Sequence, residues 1–414
     1  MIPYGRQYID KADIQAVVNV LKSDFVTQGP KIPEFEQKLA EYCGCRYAIV
    51  FNSGTSALHG AYFTLGLGKS DEFITSPITF VATANAGLYL GAKPVFVDVE
   101  PDTGNIDAAR IEQKITRKTK LIVPVHYAGH PADMQKIRRI AKKHNLAVVE
   151  DACHALGAEF KGQKIGSCRH SDMAVLSFHP VKHITTGEGG AVLTNRKEYY
   201  EKLLMFRSHG ITKNAKQFRS LNKSHSLSSA HSLNMSHSFD KSRSLSSSDS
   251  LIPPVPDWYY EMQYLGYNYR MTDIQAALGI SQLKKLDVFV EKRRKIAESY
   301  QKAFRDNPYF DIPPERHYAT SSYHLYPIRL KDGYKEKKAE IFVWLRGKGI
   351  GVQVHYIPVY LQPYYQDMGY RQGVCPVAED FYQREISIPM YPDMNAQDIR
   401  YVKEGIFRVF GDIR

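Results

Sequence analysis

Three short stretches carry chemically active side chains among apolar neighbours. In SFHPVKHITTGEGGAVLTN (177–195), Lys182 stands in a turn between two apolar runs. In EDACH (150–154), Glu150 and Asp151 follow directly on the apolar run Leu146-Ala-Val-Val149. In NSGTS (52–56), small and hydroxyl-bearing residues follow Tyr47-Ala-Ile-Val-Phe51 and open a helix-like stretch. Each has an ordinary explanation on its own. A lone lysine is usually solvated, an acid at a strand end usually caps or pairs, and NSGTS can be a simple helix cap.

Together they describe one ligand. Free backbone N–H groups at a helix start, with Gly54, Thr55 and Ser56, make a phosphate site. An acid at a buried strand end can keep a heteroaromatic ring nitrogen protonated, so that the ring accepts electrons. A lysine amine can bond an aldehyde as a Schiff base and then move protons. Phosphate, protonated ring and aldehyde are the parts of pyridoxal 5′-phosphate. The expectation is therefore that Lys182 bonds this cofactor, Asp151 faces its ring nitrogen, and Phe80 of Ser76-Pro-Ile-Thr-Phe80 stacks on its ring. His179 and His183 read as turn residues, and no second cluster completes a metal site, so no metal is expected.

Elements that bring these stretches together are legible in the same pattern. Between 46 and 195, short apolar runs alternate with amphipathic, helix-length stretches. This alternation predicts an α/β fold, a mostly parallel sheet with helices on both faces. Ligands of such sheets gather beyond the carboxyl ends of the strands, where all three stretches lie. A helix is expected over 132–144, started by Pro131, and a long one over 272–304, capped by Thr272 or Asp273 and broken near Asp287. Strands at 323–330 and 351–356, with helices at 335–348 and 396–410, suggest a smaller α+β region toward the end. The expected division is a large cofactor domain at 1–213, a serine-rich insertion at 214–256, and a connecting helix with a small domain at 257–414. The insertion, with SHSLSSAHSLNMSHSFDKSRSLSSSDS, has too little apolar content to build a core.

Composition narrows the class. The chain has 414 residues, 43% of them hydrophobic, which is enough to bury a substantial core. It has no apolar run long enough for a transmembrane helix and no apolar leader near its start, so a cytoplasmic enzyme without membrane contact is expected. The five cysteines are irregularly spaced and read as reduced thiols. Net charge is +12, but the basic residues are spread out. Clusters such as Lys292-Arg-Arg-Lys295 look like exposed helix faces, and nothing resembles a nucleic-acid module.

The motifs NSGTSAL, PITFVATANAGLYLGAKPVFVDV, EDACHALGA, SFHPVKHITTGEGGAV and GYNYRMTDIQAALGISQLKKLD closely resemble those of the DegT/DnrJ-type aminotransferases, which act on nucleotide-linked keto sugars. The likeness spans the chain apart from 214–256. SDFVTQGP, YHLYPIRL and GVQVHYIPVYLQPYY resemble the members that serve pseudaminic acid synthesis. The resemblance implies a fold-type I homodimer that takes glutamate and a UDP-linked 4-keto-6-deoxy-N-acetylhexosamine. It gives Lys182 the Schiff-base role and Asp151 the ring nitrogen. It puts His154 and Phe80 at the ring, and Thr55, Ser56 and Ser177 at the phosphate. Asn268 or Arg270 would reach the neighbouring subunit's cofactor. Tyr4, the turn of Asp24, Phe25, Val26 and Thr27, and the stretch of Tyr323, His324, Leu325 and Tyr326 would line the substrate. Relatives with histidine at the Schiff-base position dehydrate sugars instead. Lys182 favours transamination, although His183 stands beside it. A regulatory protein that keeps the fold without the chemistry is a further alternative, and retention of Lys182, Asp151 and the phosphate turn speaks against it.

Overall fold

The computed structural model describes residues 1–219 and 256–413. Of the expected insertion at 214–256, residues 220–255 lie outside the described residues. Contacts divide the chain into two units, Met1–Leu203 with Tyr269–Arg414, and Leu204–Asn268.

The first unit is built on a seven-stranded sheet. Its strands are β1 (Tyr47–Phe51), β2 (Glu72–Thr75), β3 (Lys93–Phe96), β4 (Thr119–Val123), β5 (Ala147–Asp151), β6 (Met173–Ser177) and β7 (Gly190–Thr194). They lie in the order β1-β7-β6-β5-β4-β2-β3. The pairs from β3 through β6 are parallel, and only β7 runs antiparallel to its neighbours. The expected mostly parallel α/β sheet is borne out. Its strands are apolar because both faces are covered. Val50, Ile74, Ile122, Val148 and Ala174 sit in one core, with Phe35 and Leu39 of helix Lys31–Cys43 and Ile137 of helix Met134–Lys143.

A second core lies toward the end of the chain. Strands β8 (Phe310–Asp311), β9 (Tyr326–Leu330) and β10 (Glu385–Ile388) form an antiparallel sheet with β9 in the middle. Helices Leu286–Phe304, Lys338–Gly347 and Ala396–Asp412 supply Ile296 and Tyr300, Ile341 and Leu345, and Val402 and Ile406 to this core.

Several boundaries differ from expectation. The helix over 272–304 is broken as expected, but at Lys284 and Lys285 rather than near Asp287, into Asp273–Leu283 and Leu286–Phe304. Thr272 is the cap, in a reciprocal box with Gln275. Asp133, rather than Pro131, starts helix Met134–Lys143 by accepting the Lys136 N–H. The strand expected over 351–356 is only a bridge between Gln353 and Ser387. Lys292 and Lys295 face solvent, but Arg293 is fully buried. Helical spacing puts Arg293 on the same face as Phe289, Ile296 and Tyr300. Its guanidinium donates to the carbonyls of Tyr323 (3.2 Å), His324 (3.1 Å) and Met390 (2.9 Å).

In the second unit, Ile211–Thr212 pairs antiparallel with Glu261–Met262, and Ser208 bridges to Asn268. Phe218 is buried and meets the Tyr259 ring edge-on at 5.1 Å. Trp258 and Leu265 are exposed. No helix among the described residues is long and apolar enough to cross a membrane.

Candidate active site

The carboxyl ends of β1, β5 and β6 open on one cavity of about 450 Å³, lined by residues of the first unit alone. Asp151 is the last residue of β5. Thr83 Oγ1 donates to its Oδ2 at 2.6 Å, and the Cys153 N–H donates to its Oδ1 at 3.2 Å. Thr83 is itself 2.7 Å from Thr79 Oγ1. Both carboxylate oxygens are thus held, and the group cannot turn freely.

Lys182 lies in the turn from β6 to β7. The Lys182 N–H donates to the His179 carbonyl (2.9 Å), and the Thr186 N–H (3.0 Å) and Thr185 hydroxyl (3.1 Å) both donate to the Phe178 carbonyl. These bonds fix the turn and hold the lysine over the cavity. Burial lowers the pKa of its amine, against the pull of Cys153 and Asp151. A lowered pKa raises the share of free amine, the form that attacks a carbonyl. Gly190, just beyond the turn, packs against the phosphate turn. A Cβ there would sit 2.5 Å from the Ser53 carbonyl oxygen and 2.7 Å from the Gly54 nitrogen.

That phosphate turn starts helix Gly54–Thr64. Ser53 caps it, and Ser53 and Ser56 exchange side-chain and backbone bonds. The cap satisfies the Ser56 N–H, and the Ala57 N–H donates to the Ser53 carbonyl. Helix geometry then leaves the Gly54 and Thr55 N–H groups without an intrahelical acceptor. Both residues line the cavity, as does Ser177.

Four histidines gather on the far side. The His154 and His324 rings lie 4.3 Å apart, and His183 lies 5.5 Å from His324. His154 Nε2 is 3.1 Å from the Tyr356 hydroxyl. Burial, first of all, and the nearby Lys182 charge hold His154, His324 and His355 neutral. Burial also keeps His183 neutral, its Nε2 3.2 Å from the Ser322 carbonyl. The Nδ1 atoms of His154 and His324 are enclosed without a hydrogen-bond partner among the described residues. Among the described residues no group of histidine, cysteine and carboxylate side chains could hold a metal.

Of the residues singled out in the sequence, Tyr4, Gly54, Thr55, Phe80, Asp151, His154, Ser177, Lys182 and His324 line this cavity. The others lie elsewhere. The Ser56 hydroxyl turns into the cap, donating to Asn52 Oδ1 at 2.7 Å. Asp24, Phe25, Val26 and Thr27 form an exposed turn outside the cavity lining. It is pinned to the start of helix Asp273–Leu283, where the Asp273 N–H donates to the Val26 carbonyl at 3.1 Å. Tyr323 has a positive φ of 46° and a hydroxyl beside Gln301. Leu325 and Tyr326 belong to hydrophobic cores. Arg270 is half-buried outside the lining, and Asn268 belongs to the second unit. The cavity also contains residues that sequence reasoning did not single out: Thr79, Thr83, Cys153, His355 and Tyr356. The only sequence signal for the last two was the polar pair inside GVQVHYIPVY.

The donor set fits pyridoxal phosphate. Two free N–H groups at a helix start suit its phosphate, a fixed carboxylate suits its ring nitrogen, and a buried amine suits its aldehyde.

Comparison with known proteins gives the same assignment. The UDP-4-amino-4,6-dideoxy-N-acetyl-beta-L-altrosamine transaminase of Campylobacter jejuni (strain 81-176) is 40% identical over 417 residues, covering 100% of this chain and 99% of that protein. The solved structure of Helicobacter pylori PseC, an aminotransferase involved in the biosynthesis of pseudoaminic acid, superposes with a TM-score of 0.86 at 36% identity, covering 99% of each chain. The putative sugar aminotransferase Spr1654 of Streptococcus pneumoniae, in its PMP form, superposes with a TM-score of 0.87 at 29% identity over 100% of both chains. Residues 7–407 match the DegT/DnrJ/EryC1/StrS aminotransferase family, and the chain belongs to that family of pyridoxal-phosphate-dependent enzymes.

Proposed function

We propose that the protein moves an amino group from glutamate to C4 of a UDP-linked 4-keto-6-deoxy-N-acetylhexosamine, on the route to pseudaminic acid. The observation that carries this reading is the convergence of Lys182, Asp151 and the Gly54–Thr55 turn on one cavity. The specific sugar is supported by the full-length likeness to a transaminase named for a UDP-linked 4-amino-4,6-dideoxy sugar, which amination at C4 would yield.

Bound pyridoxal phosphate supplies an aldehyde that exchanges amines and a ring that accepts electrons. The chain supplies the rest. The Gly54 and Thr55 N–H groups, with the Thr55 and Ser177 hydroxyls, bind the phosphate and orient it. Asp151, held by Thr83 and the Cys153 N–H, keeps a proton on the ring nitrogen. Lys182 Nζ would hold the aldehyde carbon, and as a free amine it would carry the proton taken from the substrate carbon. His154 and Phe80 bracket the ring and keep water from it. Tyr4 and His324 would meet the substrate, while the 24–27 turn, Tyr323, Leu325 and Tyr326 lie outside the lining.

The working unit in this reading is a homodimer, with Asn268 or Arg270 reaching the partner's cofactor. The exposure of Asn268, Trp258 and Leu265 supports this. The enzyme is placed in the cytoplasm, where its five free cysteines would stay reduced. The test is mass spectrometry of the product after incubation with nitrogen-15 glutamate and a panel of UDP- and dTDP-4-keto-6-deoxy sugars. Label in a 4-amino UDP-sugar is the expected result. Loss of the C3 hydroxyl without label would assign a dehydratase instead.

A further inference from the structure

Behind the cavity wall lies a row of three polar side chains that the chemistry above leaves unused. Glu385 and Ser387 stand on the same face of β10, and both are fully buried. Glu385 Oε2 accepts the backbone N–H of His355 at 2.8 Å, and Oε1 accepts the Ser387 hydroxyl at 2.5 Å. Ser387 Oγ is in turn 2.9 Å from His355 Nδ1. Paired backbone bonds between Gln353 and Ser387 fix the register of the row. The His355 ring lines the cavity with Lys182, and its Nε2 has no partner among the described residues.

Two arrangements satisfy these distances. With Glu385 ionised, Ser387 donates to Oε1 and accepts from Nδ1–H, so Nε2 offers the cavity a lone pair. With Glu385 protonated, its O–H donates to Ser387, Ser387 donates to Nδ1, and Nε2 carries the hydrogen. The two differ by one proton. It bonds at Nε2, the Nδ1–H bond breaks, that hydrogen passes to Ser387 Oγ, and the serine hydrogen passes to Oε1. We propose that Glu385, Ser387 and His355 form a proton relay, through which His355 takes and returns a proton at Nε2 without becoming an imidazolium in the cavity.

The surroundings favour this route. Burial and the Lys182 charge hold the His355 ring down to about 3, so the ring does not keep a second proton. Burial pushes Glu385 up to about 7, against Lys338, so the carboxyl can hold the proton near neutrality. Around these two stand Lys338, Tyr127 and Tyr356 on the Glu385 side, and Tyr4, Lys182 and His154 on the His355 side. Burial keeps the three tyrosines protonated and His154 neutral, and Lys182 and Lys338 are bases that lie outside the row. For what it serves, the relay rests on the transaminase reading. When C4–N replaces C4–O, oxygen leaves as water with two protons and nitrogen gives up two. The relay lends one proton to the oxygen and regains one from the nitrogen.

The test is nitrogen-15 NMR of histidine-labelled holoenzyme, without sugar, across the Glu385 value of about 7. His355 should show Nδ1–H above that pH and Nε2–H below it, with no doubly protonated ring. Glu385→Gln, whose amide donates to Ser387, should hold Nε2–H at every pH. Ser387→Ala should uncouple the tautomer from pH and slow turnover roughly 10²-fold, with Ser387→Thr restoring both. An imidazolium at His355, or a tautomer that ignores Glu385→Gln, overturns the relay. A pH-linked tautomer in an enzyme that aminates no keto sugar supports the relay and overturns the sugar assignment alone.

Discussion

The two sides of the cavity are built in opposite ways. On the sheet side each group belongs to the strand end that presents it: Asp151 closes β5, Ser177 closes β6 with Lys182 in the turn beyond, and Gly54 opens the helix after β1. On the other side His324, His355 and Tyr356 lie in irregular segments, held by groups far along the chain. Arg293 grips the Tyr323 and His324 carbonyls from helix Leu286–Phe304, and Glu385 and Ser387 hold His355 from β10. The reacting groups are thus set by short-range connection to a rigid sheet. The groups that line the opposite side are set by long-range polar contacts, which can change without disturbing the sheet.

If that division is real, substitutions on the two sides should fail differently. Lys182→Ala should abolish turnover, since no other buried amine lines the cavity. Borohydride reduction of the wild-type holoenzyme should place the pyridoxyl group on Lys182, and peptide mapping to any other lysine would sink the assignment. Arg293→Met leaves three buried carbonyls without their donor and should lower stability in urea, at about 1–3 kcal/mol for each group left unsatisfied. At permissive temperature it should raise KM for the sugar while borohydride still labels Lys182. Loss of labelling in Arg293→Met would show that the two sides are not independent.

Asp151→Asn keeps the shape and removes the charge. It should cut kcat about 10²–10³-fold, or about 2.7–4 kcal/mol, the scale for losing one preorganised electrostatic group. Near-normal kcat would refute its role. The histidines at the meeting of the two sides predict acid sensitivity. Burial lowers the folded pKa of His154, His183, His324 and His355, so their stability is complete above about 6.5 and is lost as pH falls below it. Glu385 acts in the opposite sense, since its raised value favours the folded state at low pH and loses that contribution as pH rises through about 7. The histidines outnumber it, so urea midpoints should fall from neutrality toward pH 5, each such group contributing at most about 1.4 kcal/mol per pH unit. Thr83→Val should have the smallest effect, about tenfold in kcat, from one hydrogen bond to a charged group worth about 1.5 kcal/mol. A full Asp151→Asn phenotype from Thr83→Val would mean that Thr83 does more than orient the carboxylate.

Legibility in the sequence follows the same division. The apolar runs revealed the sheet, and the stretches after β1, β5 and β6 revealed the amine, the acid and the helix start, because each lies within a few residues of its strand. Thr83 escapes a sequence reading because it meets Asp151 from a separate element, helix Ala82–Leu88 after β2. Arg293 was read with its charged neighbours as an exposed face. Only the packing of Tyr323 and Met390 carbonyls against that helix shows it to be internal. The strand expected over 351–356 was misjudged because its pairing is a bridge between Gln353 and Ser387 alone. Periodicity reports what one segment prefers, and these features depend on what another segment offers.

The pairing of β1 with β7 sets an order of assembly. Tyr47 lies opposite Thr194, and β1 is the edge strand of the sheet, with β7 as its neighbour. A chain emerging from the ribosome can pair β2 with β3 and β4, and β4 with β5, early, but β1 must wait for β7, and contacts of such sequence separation form slowly. The turn that opens helix Gly54–Thr64 is therefore fixed after most of the sheet, and the far side of the cavity only once β10 has been made. A nascent chain that already holds Asp151 and Lys182 still lacks the enclosure around them until His355 and β10 have been made.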